Sequence, residues 1–382
     1  MDPQNDWNKA TIPLMLTLYI FAAIVLARVE TASAAPQFAD AHLEQSVRVE
    51  LGQLRGDLRA EDCAHMLFLT AERAQIEQLE GIEQLLDLRL LQLAHNEIID
   101  LKPLESLVAL RELHLSDNPL QSIAPLHRLN QLAYLDLSNT GVRDLAPISA
   151  LPALTELSLS GNAQLDLQPL MRMHQLRKLS LGKSEIGDIS ALAALRALER
   201  LSLANNHISE LEPLRELAQL TSLNVWQNEI EDLTPLEELP SLQYLNLSAN
   251  RITHVRSLSQ LSRLQTLRLT GNRIEDVAPL ANLVDLAELR LGSNRIVDVR
   301  PLAKLDHVAV LDLNDNAIQT IDSLGTLSQL EVLRIAENSI TELDALLVLP
   351  ALRIVEVWGN PLSDAALQHI ETLRERGVEV QH

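Results

Sequence analysis

The feature that most constrains the fold is a unit of 22 residues that recurs without insertion through most of the chain. The pattern L-x-x-L-x-L-x-x-N-x-I of Leu88–Ile98 returns in Leu110–Leu120, at an offset of 22 (110 − 88). A degenerate unit at Met66 precedes the others. The regular units begin at Leu88, Leu110, Leu132, Leu154, Leu176, Leu198, Leu220, Leu242, Leu264, Leu286, Val308, Leu330 and Leu352. Small units that recur in register bury their apolar faces by stacking, so the repeat predicts a solenoid.

The spacing of the leucines predicts a short strand in each unit. Leu91 and Leu93 are two residues apart, so on an extended chain both point to one face and the residue between them points to the other. Hydrophobic residues make up 47% of the chain but aromatic residues only 2%, so aliphatic side chains must fill the core. We therefore expect parallel strands stacked over regular layers of leucine.

An asparagine follows each predicted strand. Its side-chain amide both donates and accepts hydrogen bonds, so it can satisfy backbone groups where the chain turns out of the strand. Thr140 and Ser184 replace it in two units and should do so less completely. The asparagines of this predicted ladder are Asn96, Asn118, Asn162, Asn206, Asn228, Asn250, Asn272, Asn294, Asn316, Asn338 and Asn360.

A row of acidic residues lies four positions beyond the asparagines. Several acids precede a Pro-Leu pair, as in Asp232-Leu-Thr-Pro235, and we expect them to cap a short helical turn that begins near the proline. A stripe of cation ligands is the alternative, but the acids lack a second ligand cluster. The row comprises Asp100, Asp144, Asp166, Asp188, Glu210, Asp232, Asp276, Asp298 and Glu342.

These motifs resemble those of leucine-rich-repeat proteins, and the D-x-x-P-L signature resembles the bacterial internalin subtype and the phosphatase-regulatory repeat proteins. The resemblance implies an α/β leucine-rich-repeat solenoid. Its curved parallel β-sheet would lie on the concave side, short 3-10 or helical turns on the convex side, and helical caps at both ends. It also implies a non-catalytic scaffold that engages protein partners on the concave face.

Composition divides the chain into four predicted segments. The apolar run of residues 11–27 and the small-residue site Ala32-Ser33-Ala34 predict a signal peptide over residues 1–34, with an uncleaved anchor at 11–27 as the alternative. We expect an N-terminal helical cap at 35–65, repeats at 66–362, and a capping helix and strand at 363–382. The protein is therefore expected to be exported to the periplasm, the cell envelope or the medium.

Strand geometry predicts that the third, fifth and seventh residues of each unit point outward on the concave face. Beyond residue 34 the chain has four Tyr or Trp residues, and all of them occupy such positions. Tyr and Trp are enriched in binding hot spots. The predicted partner-binding residues are Tyr134, Arg200, Asn224, Trp226, Tyr244, Asn246, Arg268, Arg290 and Trp358. A second, apolar cluster is predicted at Val310, Val332, Ile354 and Trp358.

Other classes of function lack support in the sequence. A net charge of −21 argues against general nucleic-acid binding, which needs a basic surface. The histidines show no metal-ligand spacing, and no nucleotide-binding motif is present. No catalytic arrangement is recognisable either. We therefore expect the protein to bind no metal or cofactor and to have no catalytic activity. Cys63 is the single cysteine and is expected to be buried in a cap.

The sequence favours an exported scaffold that binds a protein through its concave face. Two alternatives remain open at this point. One is recognition of glycan or peptidoglycan, or a structural role in the envelope, because an aromatic platform beside Asn and Arg can stack on sugars. The other is an intracellular scaffold similar to the phosphatase regulators. The partner and the oligomeric state are not encoded in any motif.

Overall fold

The computed structural model describes residues 37–382, so the predicted signal peptide or anchor lies outside the described residues. The chain divides into two compact units, with the boundary between Leu132 and Ala133. Within residues 37–382, no helix combines the length and the apolar character that a membrane span requires.

The first unit contains two helices and three strands. Helix α1 spans Ala41–Glu50 and α2 spans Ala60–Ala64. The strands are β1 (Phe68–Thr70), β2 (Leu90–Gln92) and β3 (Glu112–His114), and they pair in parallel in chain order. Short 3-10 helices follow the strands at Ile82–Gln84, Lys102–Ser106 and Ala124–Arg128.

Asp40 joins α1 to the first repeat. One carboxylate oxygen accepts hydrogen bonds from the backbone N–H of His42 and Leu43, which caps the helix, and the other accepts from Glu77 and Gln78. Burial acts to raise the pKa of this carboxyl, but the four backbone donors outweigh it and hold the pKa below its ordinary value. One ionised side chain thus bonds both to α1 and to the first repeat.

The second unit repeats the same pattern over twelve strands, each of which pairs in parallel with the next. The strands are β4 (Tyr134–Asp136), β5 (Glu156–Ser158), β6 (Lys178–Ser180), β7 (Arg200–Ser202), β8 (Ser222–Asn224), β9 (Tyr244–Asn246), β10 (Thr266–Arg268), β11 (Glu288–Arg290), β12 (Val310–Asp312), β13 (Val332–Arg334), β14 (Ile354–Glu356) and β15 (Glu379–Gln381). Leu223 lies beside Leu245 in this register, so the 22-residue offset of the sequence is also the offset of the sheet.

Helical turns return the chain from each strand of the second unit to the next. The 3-10 helices are Ala146–Ile148, Gln168–Arg172, Ser190–Ala194, Glu212–Leu214, Thr234–Glu238, Arg256–Leu258, Ala278–Asn282, Arg300–Lys304 and Asp322–Thr326. Helix α3 (Asp344–Leu347) replaces the next turn, and α4 (Asp364–Glu375) precedes the last strand. Ser363 caps α4 by accepting a hydrogen bond from Ala366 N, and Gly377 ends it with a φ of 84°. The predicted solenoid class, with helices near both ends, is confirmed.

The interior is aliphatic. The fourth and sixth residues of each regular unit are Leu, Val or Ile and form columns of buried side chains, such as Leu245 and Leu247. Among residues 37–382, no Phe, Tyr or Trp lies in the buried core. The few aromatic side chains are therefore left for surfaces, as the composition predicted.

The asparagine ladder has the predicted role. The Asn250 amide donates to the carbonyls of Val225 (3.0 Å) and Leu247 (2.9 Å), and its oxygen accepts from Ile230 N (3.1 Å). The full set recurs at Asn96, Asn118, Asn206, Asn228, Asn272, Asn294, Asn316, Asn338 and Asn360. At Thr140 the hydroxyl contacts Leu137 O (2.7 Å) and Asn162 Oδ1 (3.4 Å) but, within the described residues, no carbonyl of the preceding repeat, so this substitute is less complete, as expected.

The aspartates of the acidic row bond to the first N–H of the turns, from one residue before the N-cap position, and the glutamates need a correction. Seven aspartates, including Asp232, accept a hydrogen bond from the backbone N–H two residues later. The prediction was wrong for the two glutamates. Glu342 instead accepts from the hydroxyl of Ser363, and Glu210 makes no such bond in the described structure. The extra methylene of glutamate moves its carboxylate away from the adjacent N–H.

The residue before each ladder asparagine adopts a left-handed backbone, which the sequence did not reveal. Gln227 has a φ of 56° and Ala249 a φ of 55°, in a region that side chains disfavour. Their N–H groups donate to the carbonyls of Ser248 (2.9 Å) and Thr270 (2.7 Å) in the following repeat. Backbone hydrogen bonds to the following repeat thus hold this conformation without requiring glycine.

Replacing a ladder asparagine should destabilise the repeats. In Asn250→Ala, two buried carbonyls and one N–H lose their partner, and we expect the free energy of unfolding to fall by about 2–4 kcal/mol. The exposed Asn282→Ala is the matched control and should change it by less than about 0.5 kcal/mol. Urea unfolding followed by circular dichroism measures both. Equal effects of the two variants would show that the ladder does not stabilise the fold.

Candidate functional site

The outward face of the second unit carries the predicted binding residues. It consists of the third, fifth and seventh residues of each repeat from β4 to β14, and the alternation along the strand turns these side chains away from the leucine columns. The third and fifth residues lie in the strand, and the seventh lies just beyond its end. All nine predicted binding residues belong to this face.

Two indoles stand out from the face. Trp226 is 39% exposed and Trp358 is 43% exposed, both at the seventh position of their repeats. Ala204 and Ser248, which precede and follow Trp226 in the same row, are small and leave the flanks of its ring uncovered. A partner can therefore cover this ring without displacing a neighbouring side chain.

Tyr244 and the central arginines form one cluster. The Arg268 guanidinium lies over the Tyr244 ring, 5.6 Å from its centroid. Arg268 Nε donates to Glu288 Oε1 at 3.0 Å, and Arg290 Nε donates to the same oxygen at 2.6 Å. We call Tyr244, Arg268, Glu288 and Arg290 the arginine cluster. Its side chains are held in place by one another.

Glu288 is the shared acceptor of this cluster. Partial burial acts to raise the pKa of Glu288. The hydrogen bond from Arg268 and the charges of both arginines lower it by more than burial raises it, so the pKa lies below its ordinary value. Asp312, in the next strand, shows the opposite balance. Burial raises its pKa, and the Asn314 backbone N–H and nearby Arg334 and Arg290 only partly offset that.

The structure does not join the aromatic residues into one patch. Ser222 pairs with Tyr244 in the register, and Trp226 lies four residues beyond Ser222. Trp226 and Tyr244 are therefore roughly 13 Å apart along the strand direction. Trp358 follows β14, six strands from β8, or about 29 Å at the spacing of a sheet. The aromatic side chains are thus separate anchors along one face.

The two predicted asparagines have local roles. Asn224 Oδ1 accepts from Trp226 N at 3.2 Å, and Asn246 Oδ1 accepts from Ser248 N at 3.1 Å. Asn246 is 9% exposed, so it offers little surface to a partner. Arg200 is exposed, and the predicted apolar cluster of Val310, Val332 and Ile354 is partly exposed.

Sequence reasoning missed a shallow depression of about 270 Å³ between β4 and β8. Its floor contains Ser158, Ser180 and Ser202, the fifth residues of three consecutive repeats, and Arg200 lies at its side. The signal was present in the sequence, because serine at three successive outward positions leaves a gap between larger neighbours. The predicted site was instead centred on the outward Tyr and Trp residues.

Residues 37–382 contain neither a metal-binding cluster nor an ionised thiol. No group of three or more His, Cys, Asp or Glu side chains there has the geometry to hold a metal ion. Cys63 is buried in α2 as predicted, and burial raises the pKa of its thiol to about 11. This thiol is therefore protonated near neutral pH.

Two family models match the chain. One, described as leucine rich repeat, matches residues 218–274, and the other, described as two copies of leucine rich repeats, matches 87–126, 130–171, 174–216 and 262–304. Together they cover more than half of the sequence. The chain is a leucine-rich-repeat protein. Proteins of this type are generally scaffolds without catalytic activity.

Solved structures similar to this leucine-rich-repeat protein include an internalin from Listeria monocytogenes. Its TM-score is 0.73 at 29% identity, over 91% of this chain and 97% of the internalin. A leucine-rich-repeat protein of Leptospira interrogans gives 0.71 at 23% identity, over 85% and 97%. The ectodomain of a plant membrane receptor kinase from Arabidopsis thaliana gives 0.68 at 24%, over 80% and 40%. The last two show a shared fold alone. No curated protein matches the sequence.

Charge removal at two neighbouring acids of this leucine-rich-repeat protein should have opposite effects. Glu288 has a lowered pKa, so its ionised form stabilises the fold, and Glu288→Gln should cost about 1 kcal/mol at pH 7. Asp312 has a raised pKa, so its ionised form opposes folding, and Asp312→Asn should leave stability equal or higher.

Chemical denaturation at several pH values measures both effects. The Glu288→Gln loss should vanish as pH falls through the lowered pKa of Glu288. The gain in stability from Asp312→Asn should disappear as pH falls through the raised pKa of Asp312, which is at a higher pH than the change at Glu288. An equal decrease in the free energy of unfolding in both variants would contradict these assignments.

Proposed function

We propose that this leucine-rich-repeat scaffold binds a protein partner through the outward face of its second unit, with Trp226, Tyr244, Arg268 and Trp358 as anchors. The observation that carries the proposal is the exposure of two indoles on a face that the fold does not need them to occupy. Trp and Tyr supply large contact areas at low entropic cost and dominate many protein interfaces.

The arginine cluster favours the same function. Arg268 and Arg290 are already fixed by Glu288, and Arg268 is also fixed by the Tyr244 ring. Side chains that are ordered before binding lose less conformational entropy when a partner arrives. The cluster therefore presents a surface that is prepared for contact.

The charge of the outward face also differs from that of the chain. Five basic side chains on this face, Lys178, Arg200, Arg268, Arg290 and Arg334, balance five acidic ones, Asp136, Glu156, Glu288, Asp312 and Glu356. The whole chain has a net charge of −21. The remaining surface thus carries the excess acid, which favours solubility and leaves the outward face near neutral.

We further propose that the protein is exported and that residues 1–34 are removed as a signal peptide. The support is the apolar run at 11–27, followed by Ala32-Ser33-Ala34. N-terminal sequencing of the protein from the producing cell should start at Ala35. A mature chain that retains residues 11–27 would instead make this segment an anchor.

Binding is tested by affinity co-purification from the native source and its surroundings, followed by titration of the captured protein. The double variant Trp226→Ala, Tyr244→Ala should bind at least about 100-fold more weakly, because each truncation removes a hot-spot contact. Its unfolding transition should stay close to that of the unaltered protein, since both side chains lie outside the core.

Met171→Ala is the matched control, because Met171 is 46% exposed and lies in a 3-10 helix away from the outward face. It should retain full affinity. Undiminished binding by the double variant would overturn the proposed site. Saturable binding of a purified glycan, with no protein captured, would overturn the proposed class of partner.

A further inference from the structure

The depression between β4 and β8 is a feature of the outward face that the aromatic anchors do not explain. It has a volume of about 270 Å³, and Tyr134 and Asn224 lie toward its two ends. The hydroxyl of Ser158 forms a hydrogen bond with that of Ser138, and the hydroxyl of Ser180 forms one with that of Ser160, each with an O–O distance of 2.8 Å. Leu157, Leu179 and Leu201 also line the depression, so its floor is low and combines serine hydroxyls with apolar surface, and it leaves room for an extended backbone.

Arg200 gives the depression an unbalanced positive charge. The other four basic side chains of the outward face each hold a carboxylate, and Lys178 lies 2.8 Å from Glu156 beside the depression. Within residues 37–382, Arg200 has no carboxylate within 4.0 Å and its side chain is exposed. The Lys178–Glu156 pair is neutral, so Arg200 contributes one net charge.

Hydrogen-bond donors surround this guanidinium. Ser222 is the register partner of Arg200, and Asn224 is the register partner of Ser202. Ser202 and Ser222 make no side-chain hydrogen bond within the described residues, and Asn224 uses only its oxygen, for Trp226 N. Adjacent strands are about 4.8 Å apart and alternate residues about 7 Å apart, so four donor side chains border one small area.

We propose that this donor set binds the carboxylate of an aspartate or glutamate side chain in an extended segment of the protein partner. The proposal rests on the proposed protein-binding function and names the chemistry of one subsite. Arginine binds carboxylates with two parallel hydrogen bonds, and the neighbouring hydroxyl and amide groups can donate to the same oxygens. One net positive charge matches one carboxylate.

A phosphate group fits this subsite less well. It carries close to two negative charges near neutral pH, and only one cation here is uncompensated. Glu156, although paired with Lys178, adds a carboxylate on the same side of the depression. The charge balance therefore favours a monoanion.

The subsite is tested with the full chain and an array of immobilised octapeptides with a central Glu or Asp. Each is paired with its Gln or Asn counterpart and with a phosphoserine version. We expect about tenfold stronger binding of the acidic peptides than of their amides, as for a charge-assisted hydrogen bond. Arg200→Gln should abolish the preference, and Ser202→Tyr, which fills the depression, should weaken binding of every peptide.

Arg273→Gln is the matched control, because Arg273 is exposed and lies outside the outward face. It should keep the preference. Equal binding of acidic and amide peptides, an unchanged preference in Arg200→Gln, or stronger binding of phosphoserine would each overturn the proposal. The array needs no natural partner, so its failure is distinct from failure of the Trp226 and Tyr244 test.

Discussion

The side-chain amide of the ladder asparagine is the interaction on which the rest of the structure depends. Each strand must turn toward the interior, and that turn leaves carbonyl and N–H groups where no water can reach them. Asn250 satisfies groups 3, 20 and 25 residues before it, so it ties its own turn to the preceding repeat. The same offsets recur at most other ladder asparagines, so each of these turns is tied to the preceding repeat in the same way.

This constraint separates structural from functional positions. Inward leucines such as Leu245 and the ladder asparagines have buried, fixed contacts, whereas the outward residues of the same strands have few structural demands. Trp226 and the arginine cluster occupy positions that the fold leaves free. Arg200 and its neighbouring donors do so as well. A single scaffold can therefore carry several kinds of contact along one face.

Much of the fold was predictable, because spacing alone determines which face of a strand a leucine occupies and where an asparagine meets the turn. Glu342 was mispredicted because side-chain length decides whether an acid reaches the neighbouring N–H. The left-handed backbone before the ladder asparagines was not predicted, although Gly161, Gly271 and Gly359 occupy that position in three units; at Ala249 hydrogen bonds to the next repeat impose it. The sharing of Glu288 by two arginines depends on side-chain rotamers, and the depression at Ser202 depends on neighbours 22 residues away. The repeat pattern predicts which residues face outward, whereas a binding surface depends on how the side chains of several repeats contact one another.

The most direct test of this separation is an alanine scan of every outward position from 134 to 358, with both the unfolding midpoint and the affinity for a captured partner measured on each variant. We expect the affinity losses to cluster at a few outward residues, and the unfolding midpoints of those variants to fall less than that of a ladder variant. Affinity losses that track losses of stability along the whole scan would contradict it, because the outward face would then be part of the scaffold.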